Sequence, residues 1–326
     1  MKSTTEKIFT HPLGIMAAAT GATFLWGSAF PMIKLSYEEL EIGKEDLFGQ
    51  ILFAGYRFTL AACLIMFMMK LIGRKISYQR GTWQSVAKIG FFQTLLQYVF
   101  FYYGLSGSTG VQGSIIAGTT SFFQMILAHY MYASDKLTYR KVVGLIVGFA
   151  GVVLVGVGKG SLAMGFGIAE ICLLLSMFFG GLGNILSKRE SAKLDILYMT
   201  SNQMLFGGLA LTLIGACGTG IMPFEFSWTA MWLLAYLAAL SALGVVLWNT
   251  VMKYNKVGSV SMYLFLMPVF GVFLSAAILN EELQWIVWAA LALVVGGIVI
   301  VNRAKPTSAV SEVVETNPNL LHRDSA

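Results

Sequence analysis

Apolar residues fall in long blocks separated by short polar stretches. Ten blocks can be marked: Gly14–Leu35, Ile51–Ile72, Trp83–Tyr103, Val111–Ala133, Val142–Val157, Met164–Ser187, Ile196–Cys217, Trp228–Val251, Ser259–Asn280 and Trp285–Val301. A helix needs about 20 residues to cross the hydrocarbon core of a bilayer. A membrane β-strand needs about half that, with every second residue polar. None of the blocks alternates, so the pattern predicts an all-α membrane protein of ten transmembrane helices. The first block is long enough to remain as a span rather than to be a cleaved signal sequence.

Composition agrees. Hydrophobic residues make up 57% of the 326 and charged residues only 12%. A soluble domain carries about 25% charged residues to solvate its surface. The 35 glycines suit close helix packing in lipid, where the hydrophobic effect no longer drives association. Cys63, Cys172 and Cys217 lie in or at the ends of apolar blocks, with no metal-ligand spacing.

Charge sets the orientation. Eighteen of the 22 lysines and arginines lie in the termini and in the loops after blocks 2, 4, 6 and 8. The opposite side has only Lys34, Lys44 and Lys159, and Arg57 is inside block 2. Cytoplasmic segments carry the excess of Lys and Arg, so both termini are expected in the cytoplasm of a multi-pass plasma or inner-membrane protein. The net charge of +6 belongs to loops facing an anionic leaflet and does not suggest nucleic acid. Residues 1–13 read as a cytoplasmic N-terminus and 303–326, polar and poor in apolar residues, as a disordered cytoplasmic tail.

The chain also repeats itself. At an offset of 146, Asp135-Lys136-Leu137 falls on Glu281-Glu282-Leu283, Gly151-Val152-Val153 on Gly297-Ile298-Val299, and Arg57 on Gln203. At an offset of 153, Gly14-Ile15 meets Gly167-Ile168, and Trp26-Gly27 meets Phe179-Gly180. The halves are 14–157 and 164–302. Five spans per half force opposite orientations. Inverted repeats of this kind are a common transporter design, with the site between the halves.

These motifs carry a resemblance. Trp26-Gly27-Ser28 with Lys34, Arg57-Phe58, Tyr102-Tyr103-Gly104-Leu105 and Asp135-Lys136-Leu137-Thr138 recur in order in the first half. Gly183-Asn184, Trp248, Pro268 and Glu281 with Leu283 follow in the second. The chain resembles the drug/metabolite transporter superfamily in its EamA-like ten-helix branch, over about residues 14 to 302. The resemblance implies a helical basket with a central polar cavity lined by helices 1 to 4 and 6 to 9. It also implies movement of amino acids, other metabolites, sugars or drugs, often outward. One departure stands out. The stretch Gly118-Thr119-Thr120-Ser121-Phe122 has no proline where helix 9 has Pro268, although Ser and Thr bonding back to the backbone also bend helices.

Candidate cavity residues are the polar and aromatic groups inside spans: Trp26, Ser28, Arg57, Gln93, Gln97, Tyr98, Asn184, Gln203, Trp248 and Asn249. Gln93 and Gln97 are four apart and share a helix face. Their amides either meet a solute or bond between helices. Arg57 either holds a carboxylate-bearing solute or pairs with Glu170, since a charge inside a span is costly without a partner or a cavity. Glu170 is also the candidate for proton coupling. Pro31 and Pro268 are expected to kink their helices. The Gly144/Gly148 pattern suits either a helix contact or the seam of a homodimer.

The expected function is transport of a small polar or aromatic solute such as an amino acid, as an exporter working by alternating access. The partners are that solute and the lipid bilayer, with no cofactor and no metal. A multidrug or cation exporter using Glu170 is the alternative, followed by a non-transport receptor or scaffold. An enzyme is not expected. The histidines His11, His129 and His322 are scattered, and no aspartate lies mid-span.

Overall fold

A computed structural model describes residues 4–77, 79–107, 113, 116–158, 167–279 and 285–302. The expected tail at 303–326, Lys159, and Glu281 to Leu283 lie outside the described residues.

Every ordered element among the described residues is helical, and each of the ten blocks contains one. A short N-terminal helix, Thr4–Thr10, leads into α1, Pro12–Glu39. Next come α2, Leu47–Leu71; α3, 83–106; and α4, Thr120–Met131. Tyr139–Gly158 is α5, Ile168–Glu190 is α6, and Ile196–Thr219 is α7. Trp228–Tyr254 is α8, 257–279 is α9 and Ile286–Asn302 is α10. Five of them, α1, α2, α6, α8 and α9, are long and apolar enough to cross a membrane by length and composition. Starts are set locally. Pro12 occupies the first turn of α1, where its missing N–H is no loss. Asp46, Asp195 and Ser227 cap α2, α7 and α8 by accepting hydrogen bonds from backbone N–H groups two or three residues on.

Helix pairing exposes the symmetry. The main partners are α2 with α7, α5 with α10, α1 with α8 and α9, and α6 with α3 and α4. Exchanging each helix for the one five places on leaves this set unchanged, so the halves are related by a pseudo-two-fold axis. Its direction follows from the two self-paired contacts. A Cβ on Gly55 would lie 2.4 Å from the Thr212 nitrogen, one on Gly208 2.7 Å from the Thr59 nitrogen, and one on Gly215 2.5 Å from the Leu52 nitrogen. Residue numbers rise along α2 as they fall along α7, so the pair is antiparallel. A two-fold axis that swaps antiparallel partners is perpendicular to them. The two five-helix repeats are therefore inverted.

The α5–α10 contact uses the same device. A Cβ on Gly144 would lie 2.9 Å from the Gly297 oxygen, and one on Gly148 2.7 Å from the Phe265 ring. The Gly144/Gly148 pattern is thus occupied inside the chain, against α10 and α9.

Candidate functional site

Three irregular helices shape the centre. In α3, the π-helical segment Gly90–Leu96 joins Trp83–Ile89 to Gln97–Ser106. Such segments re-aim side chains and are frequent at functional sites. In α9, the 3₁₀ turn Met262–Phe265 separates Val257–Ser261 from Leu266–Leu279, with Pro268 just beyond. The matching stretch of the first half, at the offset of 146, is 116–119. There the chain turns at Gly118 and Thr119 before α4. Thr119 Oγ1 donates to the Ile116 carbonyl at 2.6 Å, and Thr120 Oγ1 to the Ala117 carbonyl at 2.8 Å. The helical path is thus interrupted ahead of α4 without a proline. Pro31 lies within α1, which stays helical through it.

Between these breaks lies a partly open cavity. Its walls come from helices 1 to 4 and 6 to 9. Among the expected residues, Trp26, Arg57, Gln93, Gln97, Tyr98, Asn184 and Gln203 line it. The equivalent positions Arg57 and Gln203 therefore face one space from opposite halves.

A buried polar chain runs along one wall. Ser187 Oγ donates to Gln93 Oε1 at 2.9 Å, Gln93 Nε2 to Asn184 Oδ1 at 2.7 Å, and Asn184 Nδ2 to Gln124 Oε1 at 2.8 Å. Gln124 Nε2 donates to Ser261 Oγ at 2.6 Å, which donates to the Val257 carbonyl at 2.7 Å. The chain ties α3 and α4 of one repeat to α6 and α9 of the other. Both amide ends of Gln93 and Asn184 are consumed by it. Gln203 is half engaged, accepting from Thr94 Oγ1 at 2.7 Å. The Gln97 amide and the Tyr98 hydroxyl make no hydrogen bond among the described residues and remain open to the cavity.

Arg57 is 2% exposed. Its Nε donates to Ser241 Oγ at 2.7 Å and to the Leu237 carbonyl at 3.3 Å, and its guanidinium carbon lies 5.1 Å from the centre of the Phe58 ring. The expected pairing with Glu170 is not found: no hydrogen bond or ion pair links the two among the described residues. Glu170 instead accepts from the Gly167 N–H at 2.8 Å, closing the first turn of α6. A carboxylate suits that position, where the helix dipole is positive.

Three expected residues lie outside the lining. Ser28 Oγ bonds the Tyr236 hydroxyl at 2.7 Å and the Leu25 carbonyl at 2.8 Å. Trp248 is fully buried behind Trp26, with ring centroids 5.5 Å apart. Asn249 Nδ2 donates to Thr200 Oγ1 at 3.0 Å within the α7–α8 contact. Thr94, Ser187, Ser241 and Ser261 were not among the sequence candidates, yet each completes a bond to a buried amide or to Arg57. Their one signal is a small hydroxyl inside an apolar block, which is common in membrane helices.

Comparison with known proteins fits this architecture. The EamA-like transporter family model matches residues 13–157 and again 167–303. The chain is similar to the uncharacterized transporter YoaV of Bacillus subtilis (strain 168), at 22% identity over 82% of this chain and 90% of the relative. It is similar to YvbV of the same organism, also an uncharacterized transporter, at 26% identity over 85% and 88%. An uncharacterized transporter of Archaeoglobus fulgidus is 26% identical over 79% of this chain and 86% of its own length. A solved crystal structure matches with a TM-score of 0.69 over 88% of this chain and 96% of that one, at 16% identity, a likeness of fold alone. With two family-model matches spanning nearly the whole chain, an inverted pair of five-helix repeats and a polar cavity between them, the protein belongs to the EamA-like transporter family, as a multi-pass integral membrane transporter.

Proposed function

We propose that this transporter exports a small metabolite with polar and aromatic character, such as an amino acid, by alternating access around the central cavity. One observation carries the reading. The cavity lies between the inverted repeats, at matched interruptions of α4 and α9. Transporters bind solutes at the repeat interface, where helices are broken and backbone groups are free. Trp26, Phe30, Phe58, Tyr98 and Phe101 supply flat apolar faces, while Gln97 and Arg57 supply polar contacts. Ten spans with cytoplasmic termini accord with the loop charge bias.

Solute flux in proteoliposomes tests the proposal. Wild-type protein is expected to give saturable flux of an aromatic amino acid or a close relative. Trp26→Ala is expected to lower it about tenfold, the loss of roughly 1.4 kcal/mol of aromatic contact, with membrane insertion unchanged. Absence of flux across a broad metabolite panel, or full flux in the variant, contradicts it.

A further inference from the structure

The charges in the cavity are one-sided. Arg57 is its single charged lining residue; no aspartate, glutamate, lysine or histidine lines it among the described residues. Its hydrogen-bond acceptors are a neutral hydroxyl and a carbonyl. No ion pair among the described residues includes Arg57. A buried cation without a facing anion is costly, and only its Nε is engaged by these two bonds. The terminal nitrogens of a guanidinium form a planar fork that matches a carboxylate.

The neighbours add hydroxyl donors. Tyr98 packs on Phe58 at 4.2 Å between ring centroids, Tyr102 stands 6.1 Å from Tyr98, and Tyr37 stands 6.3 Å from Tyr102. The Tyr37 hydroxyl is buried without a hydrogen-bond partner among the described residues, and the buried Tyr102 hydroxyl lies against the Arg57 guanidinium outside normal hydrogen-bond geometry. Buried hydroxyls are rarely left unpaired, because each carries its full desolvation cost. Phenol O–H groups beside a guanidinium make a donor set that favours an oxyanion.

We infer that the cavity takes a carboxylate-bearing solute, with its carboxylate on Arg57 and the Tyr98 hydroxyl and its aromatic body against Trp26, Phe30 and Phe101. The hydroxyls of Tyr37 and Tyr102 back the Arg57 end of the site. Among the described residues no lining acid faces an ammonium group, so an amino group finds no ion pair here. This inference rests on the cavity being the binding site for the solute.

Thermal-shift titration of the purified protein tests it with three probes of one shape: 3-phenylpropanoate, 3-phenylpropanamide and 3-phenylpropylamine. A ligand that binds the native state raises its apparent stability in a concentration-dependent way. The carboxylate is expected to stabilise saturably, and the amide and amine to need at least about tenfold more. Tyr98→Phe keeps the ring and should weaken the carboxylate response about tenfold; Arg57→Gln should abolish it. If Arg57→Gln does not fold, the probe series and Tyr98→Phe still decide. Equal responses to carboxylate and amide, no response to any probe, or an unchanged response in Tyr98→Phe overturns the inference. Saturable carboxylate binding in a protein that shows no flux supports the anion site and removes transport. Flux of neutral or cationic solutes without carboxylate preference does the reverse.

Discussion

Asn184 joins four buried side chains into one line, with Gln93 on one side and Gln124 on the other. Replacing it with alanine leaves one donor and one acceptor unpaired. An unpaired buried group costs about 1–3 kcal/mol, whereas interhelical bonds in membranes average about 0.6 kcal/mol. Asn184→Ala should therefore lower stability by about 1–3 kcal/mol, read as a lower melting temperature in detergent. Gln97→Ala should leave the melting temperature close to wild type and reduce solute flux instead, because its amide is not tied into the network. An equal fall in melting temperature for both would mean that Gln97 is structural too. The sequence presents Gln93 and Gln97 as equals, four apart on one helix. Their difference arises from the π segment ending at Leu96, which changes the angular step between them, and from Ser187, whose hydroxyl occupies Gln93. Neither is visible in residue order alone. Arg57 was legible as a charge that needs a reason; the Ser241 hydroxyl that holds its Nε was not.

At the scale of elements, the α2–α7 pair depends on backbones in direct approach. A side chain on Gly55 would enter the space of the Thr212 backbone, and one on Gly215 that of Leu52. Rigid backbone offers no room to yield, unlike the end of a flexible side chain. Gly55→Leu should separate the helices and remove the monodisperse peak in size-exclusion chromatography. Gly296→Ala on α10 faces open space and should be tolerated or mildly stabilising, since alanine favours helix by about 1 kcal/mol over glycine. A folded Gly55→Leu protein would show that this contact does not hold the repeats together. Helix positions were legible because apolar blocks of membrane length have few alternative readings. The break before α4 was less so. Proline marks α9 openly, whereas the matching interruption carries only hydroxyl bonds from Thr119 and Thr120 to carbonyls three residues back, and threonines elsewhere in these helices make similar bonds without a break.

Among the described residues the molecule is two inverted repeats, with the self-paired contacts α2–α7 and α5–α10 and the exchanged contacts of α1 with α8 and α9 and of α6 with α3 and α4, around a central cavity. The offsets between the halves carried the repeat in the sequence, and the antiparallel pairing supplies its direction. Alternating access requires the same cavity residue to become reachable from each side in turn. Gln97 is suited to report this, because its side chain faces the cavity and holds no network bond. The native Cys63, Cys172 and Cys217 are first replaced by alanine or serine. Gln97→Cys is then reacted with a membrane-impermeant thiol reagent in sealed vesicles, sorted by orientation through a tag after Ala326. Alternating access predicts modification from both faces, with opposite changes in the two rates as solute is added. Modification from one face only, at a rate indifferent to solute, would contradict it.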